Sequence, residues 1–293
     1  MHPLSNSSAP AASSDGRSII EPPLQRSIAD LRLQVECRDG VSRLAGLRQR
    51  GCLKLLFPRR PAADALEAVL VNISGGIAAG DRLDCSITCG TDTQVLVTSQ
   101  AAERCYRARQ ADAAATLTTE LVLEAGARLE WLPQETILFE GAALDRRLLI
   151  RMPASATLLL AEARVLGRRG SGETTRTLAL DDRIEIVRDG RPILVDALRL
   201  HGDADIRLRR AATGGGATAM ATVVLAGPDA AAQLEPVRAL LDIAPGVEAG
   251  ASAWDGMLVI RILAREAAAL RACILHVLSL LRDGRPLPQV WRT

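Results

Sequence analysis

The sequence predicts a mainly β protein with few helices: a β-sandwich or β-helix-like large domain followed by a smaller β-α-β-β-α part. Three observations carry that expectation. Between residues 31 and 210 apolar residues recur with a period close to two, in short aliphatic and β-branched runs. Turn residues punctuate the runs, as Asp39-Gly40, Gly75-Gly76, Gly126, Gly141 and Asp189-Gly190. A helical period enters only after Gly214-Gly215-Gly216.

Residues 1–27 are rich in Ser, Ala and Pro without a hydrophobic period, and are expected to form a disordered leader. The all-β domain is expected over 28–213, with strands at 31–37, 68–73, 83–89, 94–99, 116–123, 128–132, 148–152, 156–165, 183–187 and 193–200. Over 214–293 the text reads as a strand at 217–225, a helix at 229–241, a hairpin of 247–254 and 257–263 around Asp255-Gly256, and a helix at 265–282. Asp229, after Gly227-Pro228, is placed to cap the first helix, and Asp283-Gly284 with Pro286 to stop the second. This C-terminal part is expected to pack on the β domain.

Of 293 residues 48% are hydrophobic, yet the aromatics are only Phe57, Tyr106, Trp131, Phe139, Trp254 and Trp291, so the core must be aliphatic. Sites for sugars or single-stranded nucleic acid rely on several aromatic platforms and start at a disadvantage. A formal charge of +2 gives no electrostatic footprint for nucleic acid. Arginine accounts for all the basic residues but Lys54, which suits bidentate pairing with carboxylates. The six cysteines, with no secretory or membrane-length apolar run, point to a reducing cytoplasm. Cys85 and Cys89 share a strand face about 13 Å apart, too far to chelate one ion, and read as small core residues.

The segment 72–81, Asn-Ile-Ser-Gly-Gly-Ile-Ala-Ala-Gly-Asp, puts three glycines and a carboxylate between two strands. It leads into another strand rather than a helix, which argues against a phosphate cradle. The plain reading is a tight connection in which Asp81 satisfies local amides. At 98–107 a strand end runs into a polar turn where Glu103, Arg104 and Arg107 can pair. At 129–139, Glu130, Trp131, Gln134 and Glu135 crowd around Pro133, which suits either a protein contact or a glycoside hydrolase using Glu130 or Glu135 with Asp81. Glu162 and Asp196 interrupt apolar strands, so each must face solvent, meet an arginine or line a hydrated interior. His2, His201 and His276 are too scattered for a metal triad.

Taken in order, these segments resemble the urease accessory protein D family, UreD, called UreH in some organisms. The matching pieces are 72–81, then Thr98-x-Gln100-Ala101-Ala102-Glu103 with Tyr106-Arg107, and Leu129-Glu130-Trp131-Leu132-Pro133-Gln134-Glu135 with Ile137-Leu138-Phe139. Leu166-Gly167-Arg168 with Gly172-Glu173 and Leu287-Pro288-x-x-Trp291 complete the set. The resemblance implies a non-enzymatic cytoplasmic scaffold that joins accessory proteins F and G and apo-urease. It implies no tightly bound cofactor, no nucleic acid and no membrane, but a transient Ni(II) cargo in an internal water-lined passage. By motif position, Asp81, Glu162 and Asp196 fall where the family's nickel-transfer carboxylates lie. Glu103, Arg104, Tyr106 and Trp131 are the expected partner contacts. Hard carboxylates hold Ni(II) weakly compared with imidazole or thiolate, which suits a conduit. Two positions depart from the family pattern, Ala79 where a second Gly-Gly is common and Arg104 where lysine is common. Alanine would strain the loop if position 79 needed positive φ.

Overall fold

A computed structural model describes residues 25–58, 65–109 and 112–291. Most of the expected leader, residues 1–24, lies outside them; Arg26 is tied to the domain by an ion pair with Asp112 at 2.7 Å.

With strands numbered in chain order, the first sheet holds β1 (Ile28–Arg38), β2 (Val41–Arg50), β5 (Arg82–Cys89), β8 (Ala115–Leu123), β11 (Ala143–Met152), β13 (Leu178–Arg188) and β14 (Arg191–Gly202). Their spatial order is β14-β13-β11-β8-β5-β1-β2. The second sheet holds β3 (Leu53–Leu56), β4 (Leu66–Asn72), β6 (Gln94–Ser99), β9 (Arg128–Leu132), β12 (Thr157–Leu166), β15 (Ala219–Ala226), β16 (Val247–Trp254) and β17 (Met257–Ala264). Its order is β16-β17-β15-β12-β9-β6-β4-β3, and the short β7 (Glu103–Cys105) and β10 (Thr136–Leu138) join it beside β12.

Parallel strands ordinarily need a crossover helix. Here the crossover of each sheet is a strand of the other. The chain goes from β4 to β5, β6 to β8, β9 to β11 and β12 to β13, and each round trip lays a strand parallel to its predecessor in both sheets. The result is β-helix-like, finished with antiparallel strands at the edges. Strands β15, β17 and β16 continue the second sheet from β12, so its ladder runs on beyond residue 213.

Alternation decides what faces inward. In β11, Leu144, Arg146, Leu148, Ile150 and Met152 are buried and the residues between them look outward. Strand β12 is buried on both faces: Leu158, Leu160 and Leu166 join the core between the sheets. Leu159, Ala161, Ala163 and Val165 meet a second core under helices α2 (Leu234–Asp242) and α3 (Ala267–Leu281).

The Asp-Gly pairs form the expected hairpin turns, with both residues at positive φ: 54° and 75° at Asp39-Gly40, 49° and 77° at Asp189-Gly190, 46° and 65° at Asp255-Gly256. Asp229 does not cap: the chain enters α2 through a 3-10 turn at Ala230–Gln233, and the Asp229 side chain makes no capping hydrogen bond. The working side-chain cap is Asp203, whose Oδ1 accepts from the Ile206 amide at 2.8 Å at the start of α1 (Ala204–Arg209).

The C-terminal segment straps the second sheet. Trp291 is buried, and its Nε1 donates to Thr98 Oγ1 and Leu132 O, both at 3.1 Å, where β6 and β9 end. Arg271 of α3 covers the indole at 5.1 Å and donates to Gln134 Oε1. Trp291→Ala should therefore destabilise the chain by about 3–5 kcal/mol in urea unfolding; a loss under about 1 kcal/mol would show that the strap is not anchored there.

Candidate functional site

The glycine loop between β4 and β5 is held by three side chains. Asn72 accepts from the Ser74 amide at 3.0 Å and donates to Gly76 O and to both Glu103 oxygens at 3.2 Å. Tyr106 donates its hydroxyl to Gly75 O at 2.7 Å. Asp81 accepts from the Ser27 and Ala78 amides at 2.7 and 2.8 Å and is buried. Glycine is required at 76 because a Cβ there would lie 2.4 Å from the Tyr106 ring and 2.7 Å from Arg104 O. Ala79 has negative φ and is buried, so alanine fits without strain.

Behind this loop the sheets part around a cavity of about 230 Å³. Asn72, Gly76, Glu103 and Arg104 line its outer end, and Cys85, Trp131, Arg146 and Glu162 its inner end. Burial pushes the Glu103 carboxyl above its ordinary value, against the opposing pull of Asn72 and Arg104. Burial likewise raises the Cys85 thiol to about 12, so it stays protonated at neutral pH.

At the inner end a closed ring of charge joins the sheets. The Trp131 indole donates to Glu162 Oε1 at 2.8 Å, and Arg146 Nη1 donates to Glu162 Oε2 at 2.6 Å. Arg146 also forks onto Asp182, Nε to Oδ1 at 3.0 Å and Nη2 to Oδ2 at 2.7 Å. Arg164 donates to the same Asp182 carboxylate and, at 3.2 Å, to Glu162 O. All four charged side chains are buried. Burial disfavours the Asp182 carboxylate, but the two guanidiniums overcome that and hold its carboxyl well below the usual carboxylate range.

The polar row continues past the ring. Glu162 is paired across the ladder with Thr222, and Thr222 with Arg261. Asp196, on the edge strand of the first sheet, accepts from Thr222 Oγ1 at 3.1 Å and from Arg261 at 2.9 and 3.0 Å. A polar seam thus runs through the aliphatic layer from the glycine loop to the far edge of the first sheet.

Of the expected residues, Glu103, Arg104, Trp131 and Glu162 line the cavity, while Asp81 braces the loop behind its outer end and Asp196 stands at the opposite edge. Among the described residues no three His, Cys, Asp or Glu side chains gather as a metal-holding group. Arg104 is exposed and Tyr106 is 36% exposed, its ring set edge-on to Phe139 at 5.3 Å, and Arg168 stacks on that phenylalanine at 4.4 Å. Trp131 is not on that surface; it is 5% exposed and belongs to the cavity wall. Glu130 faces the helical side, bound by Arg282 at 2.7 Å and Arg285 at 2.9 Å, and Glu135 pairs with Arg271 at 3.4 Å. The hydrolase arrangement of Glu130, Glu135 and Asp81 therefore does not share one cleft.

Arg146 and Asp182 are the functional candidates that motif reading missed. Their signal lies in the alternation: Arg146 has the parity of Leu144 and Leu148, and Asp182 that of Leu180 and Ile184.

These features define a two-sheet, β-helix-like protein with a charge-balanced polar seam enclosed between its sheets. The profile of the UreD urease accessory protein family matches residues 27–292. Urease accessory protein UreD 2 of Methylorubrum populi is 43% identical over 97% of this chain and 98% of its own length. Urease accessory proteins UreD of Methylobacterium sp. strain 4-46 and Rhizobium etli are 46% and 43% identical over 87% and 91% of the chain and 90% and 96% of their own lengths. The chain belongs to the UreD family of urease accessory proteins.

Asp182 supplies a pH test of the ring. Its folded-state pKa is depressed, so its stabilisation is complete above the unfolded value of about 3.9 and is lost as pH falls below it. Asp182→Asn should destabilise by about 3–5 kcal/mol at pH 7, and the gap between the two urea midpoints should narrow from pH 5 to pH 3. A gap that stays constant with pH would mean that Asp182 is not ionised in the ring.

Proposed function

We propose that this protein serves urease maturation as a non-catalytic scaffold and carries Ni(II), as cargo, along the seam between its sheets. The observation that carries the reading is the run of polar groups through an otherwise aliphatic layer, from Asn72 and Glu103 through Glu162 to Thr222 and Asp196. Interior polar groups are costly, and the core around them is mainly aliphatic. Hard oxygen ligands at separated points hold a soft-leaning dication briefly, as a conduit requires.

The three carboxylates then have distinct duties. Asp81 fixes the loop at the outer end, Glu162 offers charge inside, and Asp196 offers it at the far edge. The surface of Ile73, Arg104, Tyr106 and Phe139 beside the outer end suits contact with the protein that delivers the metal. Ile73 is 63% exposed, more than a solvated surface needs. On this reading the partners are accessory proteins F and G and apo-urease, nucleotide hydrolysis belongs to a partner, and the setting is the cytoplasm.

The test is co-expression with apo-urease and the other accessory proteins, followed by nickel analysis of purified urease. Omitting the chain should leave urease nickel-poor. Glu162→Gln keeps the shape and one acceptor oxygen, for Trp131 or for Arg146 but not for both, and removes the charge; it should lower nickel loading several-fold with the assembly intact. Full loading by that variant would exclude Glu162 from the route. Arg104→Glu should weaken capture of the delivering partner; unchanged capture of every partner would remove this surface from the assembly.

A further inference from the structure

We propose that Arg146 is the resident counter-cation of the passage: it occupies Glu162 between transfers and yields it to an arriving divalent cation, so that metal moves through without being retained. This deepens, and rests on, the reading of the seam as a nickel route. Arg146 borders the cavity beside Glu162, and its bonds are unequal in number. Two fasten it to Asp182, at 3.0 and 2.7 Å, and one reaches Glu162, at 2.6 Å. Breaking that single bond frees a carboxylate oxygen toward the cavity while the guanidinium stays paired with Asp182. Glu162 keeps the Trp131 donor on its other oxygen at 2.8 Å, so it remains aimed while it changes partner.

Charge arithmetic gives the exchange its purpose. Glu162 and Asp182 carry two negative charges, and Arg146 and Arg164 carry two positive, so the resting ring is neutral. Unpaired carboxylates buried this far from bulk solvent would hold a dication firmly. With Arg146 present, the metal gains only the difference between its own attraction to Glu162 and that of the guanidinium. A monovalent cation brings no more charge than the arginine it displaces, so the exchange favours divalent ions. Arginine suits the position because it keeps its charge at every working pH and forks over two carboxylates, which a lysine ammonium does not.

The test uses the full chain and Ni(II) alone, with equilibrium dialysis as the readout and thermal unfolding as the check on folding. Arg146→Gln should retain Ni(II) at least about ten-fold more tightly than the wild type, and adding Glu162→Gln should abolish the gain. Co-expressed with urease at limiting nickel, Arg146→Gln should lower urease loading although it binds more metal itself. A folded Arg146→Gln protein that binds Ni(II) no better than wild type overturns the proposal. Should that variant fail to fold, Arg146→Lys, which loses the fork, should show intermediate retention, and wild-type retention by it would overturn the proposal equally. Unchanged urease loading by Glu162→Gln alone would instead take Glu162 off the route, whatever Arg146→Gln retains.

Discussion

Arg146 and Asp182 of the first sheet close on Glu162, Arg164 and Trp131 of the second, and this ring is the constraint around which the interior is arranged. Removing a charge from water costs several kcal/mol even after relaxation, and only good geometry with every donor and acceptor engaged repays it. The ring meets that condition with forked bonds, a shared carboxylate and a backbone carbonyl. Its members must therefore sit opposite one another, which fixes the register of one sheet over the other. Leucine contacts alone would tolerate sliding. The aliphatic residues supply most of the burial energy, and the ring selects which packing they adopt.

The same economy appears at the two ends of the seam. At one end Asn72, Tyr106 and Asp81 use local hydrogen bonds to hold a glycine loop in which the Tyr106 ring and Arg104 O leave no room for a side chain at 76. At the other, Asp196 on the edge strand of the first sheet meets Thr222 and Arg261 of the second across the gap between the sheets. A carboxylate at each end and one inside, none grouped with two others among the described residues, is the observation on which the proposed passage rests. The few aromatic side chains follow the same division: Tyr106 and Phe139 lie by the outer end, Trp131 walls the cavity, and Trp291 pins the chain terminus against the ends of β6 and β9.

Much of this was legible in the residues. The period-two runs and the Asp-Gly turns located most long strands, and β6 and β9 coincide with the expected 94–99 and 128–132. Strand β2 escaped notice because it is an edge strand exposed along much of its length, so it carries no apolar alternation. Parallel pairing was invisible because each partner lies a full round trip away in the chain, and register across that distance leaves no local pattern. Glu162 and Asp196 stood out as charges in apolar runs, and both do meet an arginine. Asp182 did not stand out, since Asp181-Asp182-Arg183 looks like a solvated patch and only its neighbours two residues away reveal its inward face. The polar motif around Trp131 suggests a surface contact; its carboxylate partner lies 31 residues on, beyond any local pattern.

The central claim is that Ni(II) enters the layer between the sheets. Crystals of the protein in complex with its partners, soaked in millimolar Ni(II) and measured across the nickel absorption edge, test it directly. The account predicts anomalous density within the cavity, between Glu103 and Glu162 and within coordination distance of the Glu162 carboxylate. Density confined to exterior groups such as the Asp181 and His201 pair, with none between the sheets, would contradict it.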